Sequence, residues 1–187
     1  MSLKGANTTS DYIDFDRAMA VGEKLMKTDK MKVVGLYVIV AVNTGLRIGD
    51  ILNLKFEDFK GDSIKLNEEK TNKKREIKIN ENIRKALLSF GKLKEGVVFV
   101  SQKNCVYTRQ TINVLLKEAF AKESKKLNIS SHSLRKAFGR KVYENNGESE
   151  KALNYLSEMF NHTSIAVTRK YLGIRQSELN NIYDCLV

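Results

Sequence analysis

A chain of 187 residues with 42% hydrophobic content is long enough for one domain with its own core. Its 33 Lys and Arg against 22 Asp and Glu give a formal net charge of +11, which favours a polyanion, nucleic acid first, although a basic surface that is merely solvated has the same composition. No apolar run approaches the roughly 20 residues of a membrane helix, the start lacks a secretory apolar stretch, and Cys105 and Cys185 lack the C-x-x-C spacing of a zinc or redox site, so a reduced cytoplasmic setting is expected, with no membrane partner.

Residues 1–13 read as a polar leader or linker, and 14–187 as one domain without prolines, repeats or low-complexity breaks. Phe15, Ala18, Met19, Gly22 and Met26 recur at helical intervals between Asp14 and Lys27. The continuous apolar run Val33 to Val42 is too long for an ordinary buried strand and predicts a core helix, ended by Gly45. A short helix follows from Arg47 to Asn53. Phe56, Phe59, Ile64, Leu66, Ile77 and Ile79 then fall in short alternating segments, which predict three antiparallel strands. Helical spacing returns from Glu81 (Ile83, Leu87, Leu88) and again at Ile112, Leu115, Leu116, Ala119 and Phe120, with a short strand at Val97 to Val100 between them. Ser130 or Ser131 caps a helix that runs to Tyr143 and stops near Asn145-Asn146-Gly147. Further helices are expected over Glu150 to Met159, Ser164 to Tyr171 and Gln176 to Tyr183. The fold class is therefore α+β, mainly helical, with a small three-stranded antiparallel sheet.

Three segments carry residues suited to chemistry on a phosphate. Thr44-Gly45-Leu46-Arg47-Ile48-Gly49-Asp50 puts Arg47 just past a helix break, where its guanidinium can grip a phosphate bidentately, with Asp50 three residues on to hold the fork. His132-Ser133-Leu134-Arg135 sets two donors at i and i+3, opposite the apolar stripe of Leu134, Phe138 and Val142. His162 precedes Tyr171 by nine residues, so that a histidine at a helix start and a tyrosine at its end can border one site. Each has an ordinary explanation when taken alone: a surface ion pair, an amphipathic helix, a core aromatic.

Their order is what carries information. An arginine in T-G-L-R, a lysine in a hairpin, H-x-x-R, then a histidine nine residues before a tyrosine together resemble the tyrosine recombinase (phage integrase) family, from about Met31 to Tyr171. The resemblance implies that family's catalytic-domain fold and a site-specific recombinase or integrase of mobile elements, which cleaves and rejoins DNA strands through a covalent 3′-phosphotyrosine without metal, ATP or other cofactor. It assigns Arg47 and Arg135 as the arginine pair, His132 and His162 as the site histidines, Tyr171 as nucleophile, Asp50 as acidic support and Lys70 as general acid. Within Glu69-Lys70-Thr71-Asn72-Lys73-Lys74-Arg75, Lys73 and Lys74 remain competitors for that last role. Double-stranded DNA is the implied partner, bound when full-length by a homotetramer on two duplexes, with accessory DNA-bending proteins. Two other readings share parts of the pattern: a type IB topoisomerase, which uses the same chemistry to relax one duplex, and a noncatalytic DNA-binding regulator.

The sequence departs from the family pattern in two ways. Phe160-Asn161 stands where the family commonly has Leu-Gly before the second histidine, so a different local turn is expected. The family's N-terminal DNA-binding domain is not seen, which reads as a fragment or a minimal member. Leu179, Ile182, Tyr183 and Leu186 form an apolar stripe that suits docking either on a neighbouring subunit or on its own domain.

Overall fold

The computed structural model describes residues 10–91, 95–174 and 183–185. Helix α1 (Phe15–Met26) starts where the Asp14 carboxylate accepts the Arg17 N–H, and buries Ala18, Val21, Gly22 and Met26. It lies against α2 (Lys32–Thr44), which is buried from Val34 to Val42. The two backbones meet at glycines: a Cβ on Gly35 would lie 2.7 Å from the Gly22 carbonyl oxygen. The apolar run expected to be a core helix is thus the central rod of the domain. Gly45 closes it in the left-handed region, at φ 60°.

Arg47 follows in extended backbone, immediately before the short helix α3 (Ile48–Leu52). Strands β1 (Ser63–Asn67) and β2 (Lys74–Lys78) pair antiparallel, with Ile64 opposite Ile77 and Asn67 opposite Lys74. The sheet has two strands among the described residues, not the expected three. Phe56 to Phe59 form a 3-10 turn instead, because the two phenylalanines are buried at a spacing of three and the Asp58 carboxylate accepts the Lys55 N–H at 2.8 Å. Nor is Val97 to Val100 a strand: its ends make isolated bridges, Lys55 with Val97 and Val100 with Val106.

The remaining helices are α4 (Glu81–Phe90), α5 (Arg109–Ala119), α6 (Ser131–Asn145), α7 (Glu150–Phe160) and α8 (Ile165–Leu172). Each begins on a side-chain cap, from Asn80, Thr108, Ser130, Ser149 and Ser164 in turn. The main core gathers α1, α2, α4 and α5 around the inner face of the hairpin. A second, smaller core holds Tyr143, Leu153, Leu156, Phe160 and Leu172. Helix α6 joins the two, giving Leu134 and Ala137 to the first and Tyr143 to the second. No helix of the described residues is long and apolar enough to cross a membrane. Ile13, expected in the leader, is 3% exposed and packs in the main core. The expected helix over Gln176 to Tyr183 and most of its stripe lie outside the described residues.

Gly45 has two reasons to be glycine, since a Cβ there would also lie 2.3 Å from Phe138 Cδ1. Gly45→Ala is expected to destabilise the domain by roughly 2 kcal/mol or more, read from the midpoint of urea denaturation.

Candidate active site

Two helix C-termini build the site. The last carbonyls of a helix lack intrahelical partners and carry the negative end of its dipole, so cations settle there. Arg135 reaches from α6 to donate Nη1 to the Gly45 carbonyl at the end of α2, and Nη2 to the Phe160 carbonyl at the end of α7, 3.3 Å away. Arg47 donates its Nη2 to the same Phe160 carbonyl at 2.9 Å. A third arginine, Arg75 of β2, donates to the Thr44 carbonyl at 3.3 Å. Three guanidinium groups from three parts of the chain are thereby gathered in one place.

One carboxylate stands among them. Glu68, 3% exposed, accepts from Arg47 Nη1 at 2.7 Å, from Arg75 Nη1 at 3.0 Å and from Thr71 Oγ1 at 2.8 Å. Burial alone would raise its pKa, but the hydrogen bonds from Thr71, Arg47 and Arg75 outweigh that and hold it below the usual carboxylate range. Asp50, 5% exposed, does not brace Arg47 as its spacing suggested: its Oδ1 accepts the Glu69 backbone N–H at 2.8 Å, which ties α3 to the hairpin turn. Arg135, 4% exposed, has no carboxylate at ion-pair distance among the described residues, and burial depresses its pKa to about 10.

The Phe160 ring organises the other side. Arg135 Cζ lies 4.2 Å from its centroid, and the rings of His162 and Tyr171 meet it edge-on at 5.4 and 5.6 Å. Tyr171, on α8, also lies 5.2 Å from the His162 ring and 6.5 Å from the His132 ring, centroid to centroid. Its Oη is buried without a hydrogen-bond partner of good geometry. Burial pushes the phenol up to about 12, against the pull of the neighbouring Arg135 and the charge of Arg47. His162 Nδ1 is fixed 2.9 Å from Thr168 Oγ1. Both histidines are held below their ordinary pKa, by partial burial first and then by the cations: Arg135, Lys136, Arg47 and Lys70 for His132, Arg135 and Arg47 for His162.

Arg47, Lys70, His132 and Arg135 line one cavity of about 370 Å³, together with Asp50, Glu69 and Arg109. Tyr171 and His162 are not among its lining residues: Tyr171 stands beside it through the His132 ring, and His162 lies behind Tyr171. Lys70 is exposed at the hairpin turn, Lys73 instead donates to Asn161 Oδ1, and Lys74 is exposed on β2. Sequence reasoning missed Glu68, Arg75, Arg109 and the part played by Phe160. Arg75 was the legible one: it lies two residues before Ile77, hence on the inner face of β2, where a cation requires a partner. The expected difference at Phe160-Asn161 resolves simply. Asn161 takes the left-handed conformation, φ 53° and ψ 51°, that glycine adopts at a helix end, and asparagine is the other residue that tolerates it.

Residues 14–178 match the phage integrase family, and the chain belongs to it. It is 32% identical over 152 residues to the probable integrase/recombinase YoeC of Bacillus subtilis, covering 78% of this chain and 80% of that protein. It is 28% identical to tyrosine recombinase XerC of Caldanaerobacter subterraneus, covering 76% of this chain but only 42% of the relative. Among solved structures, XerA recombinase superposes with a TM-score of 0.72 at 24% identity, over 98% of this chain and 66% of that one. A lambda integrase dimer bound to a COC′ core site gives 0.66 at 16% identity, over 89% and 60%. At these identities the two structures speak for the fold.

The lowered histidine values have a consequence for stability. The unfolded chain binds protons at its histidines near pH 6.5, the folded chain only at lower pH, so stability is fully present above pH 6.5 and is lost as pH falls through the folded values. The thermal midpoint is expected to drop between pH 7 and pH 5, and the double variant His132→Gln with His162→Gln to drop less over that range.

Proposed function

We propose that residues 14–187 form the catalytic domain of a site-specific DNA recombinase that cleaves and rejoins strands through a covalent 3′-phosphotyrosine. The observation that carries this reading is Arg135, a buried cation that among the described residues is held by neutral carbonyls and a ring and by no carboxylate, beside a buried tyrosine hydroxyl and a second arginine. A phosphodiester supplies the missing anion. Arg47 and Arg135 would share its nonbridging oxygens, with His132 and His162 adding neutral hydrogen bonds, and so stabilise the charge that builds during attack. Asp50 supports the arrangement by fixing the hairpin turn against α3.

Tyr171 Oη attacks phosphorus as its proton passes to neutral His132, and a tyrosyl–phosphate bond forms. The bond to the 5′-oxygen breaks, and that oxygen takes its proton from Lys70. A 5′-hydroxyl from another strand reverses the step, so the phosphoester is conserved and no ATP or other cofactor enters. Lys70 is favoured over Lys73 and Lys74 because it lines the cavity, whereas Lys73 is tied to Asn161 and Lys74 lies on the strand. Double-stranded DNA is the partner on this reading, supported by the DNA-bound lambda integrase and by XerH bound to its difH substrate. Assembly as a tetramer on two duplexes, with DNA-bending accessory proteins and in the cytoplasm, completes it.

The test uses nicked suicide duplexes drawn from the native genomic flanks and a denaturing gel. The chain is expected to give a covalent band, lost in Tyr171→Phe and reduced about 10²-fold or more in Arg47→Ala and Arg135→Ala. A band that persists in Tyr171→Phe would move the nucleophile to another tyrosine. Because the contacts available are to phosphates, noncovalent binding by the chain alone is expected to be weak, nearly indifferent to sequence and steeply weakened by salt. Isotherms on specific and scrambled duplexes across a salt series measure this, and tight selective binding would contradict it.

A further inference from the structure

Two of the groups assigned above to one reaction sit on different supports. Arg47 lies between α2 and α3 in the main core, whereas Lys70 lies on the turn between β1 and β2 and is exposed. A lysine on such a turn has many positions open to it, and proton donation to the leaving oxygen requires one of them. Something must tell the hairpin where the arginine is.

Resting on the recombinase reading, we propose that Glu68 is a positioning residue that sets Arg47 and Lys70 relative to each other. Its Oε2 accepts from both Arg47 Nη1, at 2.7 Å, and Thr71 Oγ1, at 2.8 Å. Thr71 is the residue next to Lys70, so a single oxygen ties the arginine fork to the lysine's own turn. The other oxygen, Oε1, accepts from Arg75 Nη1 on the far strand of the hairpin at 3.0 Å, and Arg75 in turn donates to the Thr44 carbonyl at the end of α2. The backbone repeats the link, since Asn72 N–H donates to the Glu68 carbonyl and Glu68 N–H to the Lys73 carbonyl, closing the turn on Glu68 itself. Asp50 and Glu69 add a parallel tie from α3. A carboxylate this buried keeps its place because each oxygen is occupied by charged or hydroxyl donors. Glu68 touches no reacting atom. It acts through the two residues that do.

The role has a signature that a merely structural one lacks. A substrate whose leaving oxygen is replaced by a 5′-bridging sulfur departs as a thiolate and needs no acid, so it reports the arginine side alone. Thr71→Val removes the tie to the lysine turn and leaves Glu68 on Arg47. It is expected to slow covalent adduct formation about tenfold on the oxygen substrate and to match wild type on the sulfur substrate. Glu68→Gln disturbs both ends, and is expected to slow both substrates, the oxygen one more. Thermal melts accompany each variant; Thr71→Val carries the test if Glu68→Gln fails to fold. Thr71→Val at the wild-type rate on oxygen, or equally slow on both substrates, would overturn the proposal, as would full rescue of a folded Glu68→Gln by sulfur. A wild-type chain that forms no adduct on either substrate would instead overturn the recombinase reading, whereas a wild-type adduct with unaffected variants would sink the positioning role alone.

Discussion

The carbonyl oxygen of Phe160 is the point on which the site depends. It is one of the last acceptors of α7, and a helix leaves such acceptors without partners of their own. Here it takes a hydrogen bond from Arg47 and another from Arg135. The carbonyl can face them because Asn161 turns the chain into the left-handed region directly afterwards. The same turn sends His162 back toward Tyr171, whose ring it meets at 5.2 Å. A single helix end therefore fixes both arginines and orients the residues that follow. The Phe160 side chain, buried in the smaller core, anchors that end from below while its ring carries Arg135 and Tyr171.

This construction leaves charge unbalanced by design of its contacts. Burying an ion costs several kcal/mol unless a counter-ion or hydrogen bonds offset it. Arg47 and Arg75 share the Glu68 carboxylate, whereas Arg135, among the described residues, has carbonyl dipoles and a ring face in place of a carboxylate, and burial lowers its pKa to about 10. At neutral pH it nonetheless stays charged. On the proposed reading this desolvated cation is in place before a phosphate arrives, and its charge would act on the nonbridging oxygens. Helix α6 makes this possible mechanically, because it belongs to both cores and so keeps Arg135 in register with the ends of α2 and α7.

Much of this was legible in the sequence, for identifiable reasons. Helices α1, α2 and α4 to α8 announced themselves through apolar spacing and capping residues, which are local properties. Arg47, Lys70, His132, Arg135, His162 and Tyr171 were picked out by their order; the first four line one cavity, and Tyr171 and His162 stack on Phe160 beside Arg135. The failures are equally physical. Phe56 and Phe59 were read at a period of two when their burial follows a spacing of three, and Val97 to Val100 makes bridges too short to be a strand. Asp50 was given to Arg47 on its spacing of three and on the family resemblance, yet Arg47 is in extended backbone and its fork reaches Glu68, 21 residues along the chain. Long-range partners of that kind leave no periodic trace. The Phe160 carbonyl left none at all, since backbone acceptors are the same at every position.

The arrangement also bears on how the proposed attack is timed. Burial holds Tyr171 protonated, at about 12, and the arginines that would ease its ionisation are the ones a phosphate would occupy. Once a phosphate is bound, its negative charge cancels part of that help, so a free tyrosinate becomes less favourable at the moment it would be useful. Proton loss and bond formation are then best coupled: charge leaving Oη passes through the new bond to the nonbridging oxygens, where Arg47 and Arg135 already wait. The proton needs a neutral acceptor nearby at neutral pH. His132 meets that condition because burial and the surrounding cations lower its pKa, and its ring lies edge-on to the tyrosine. The bound phosphate would offset the cations' effect on His132 as it does on Tyr171, so desolvation of the imidazole, the largest cause of its lowered pKa, is what would keep the base neutral during the transfer.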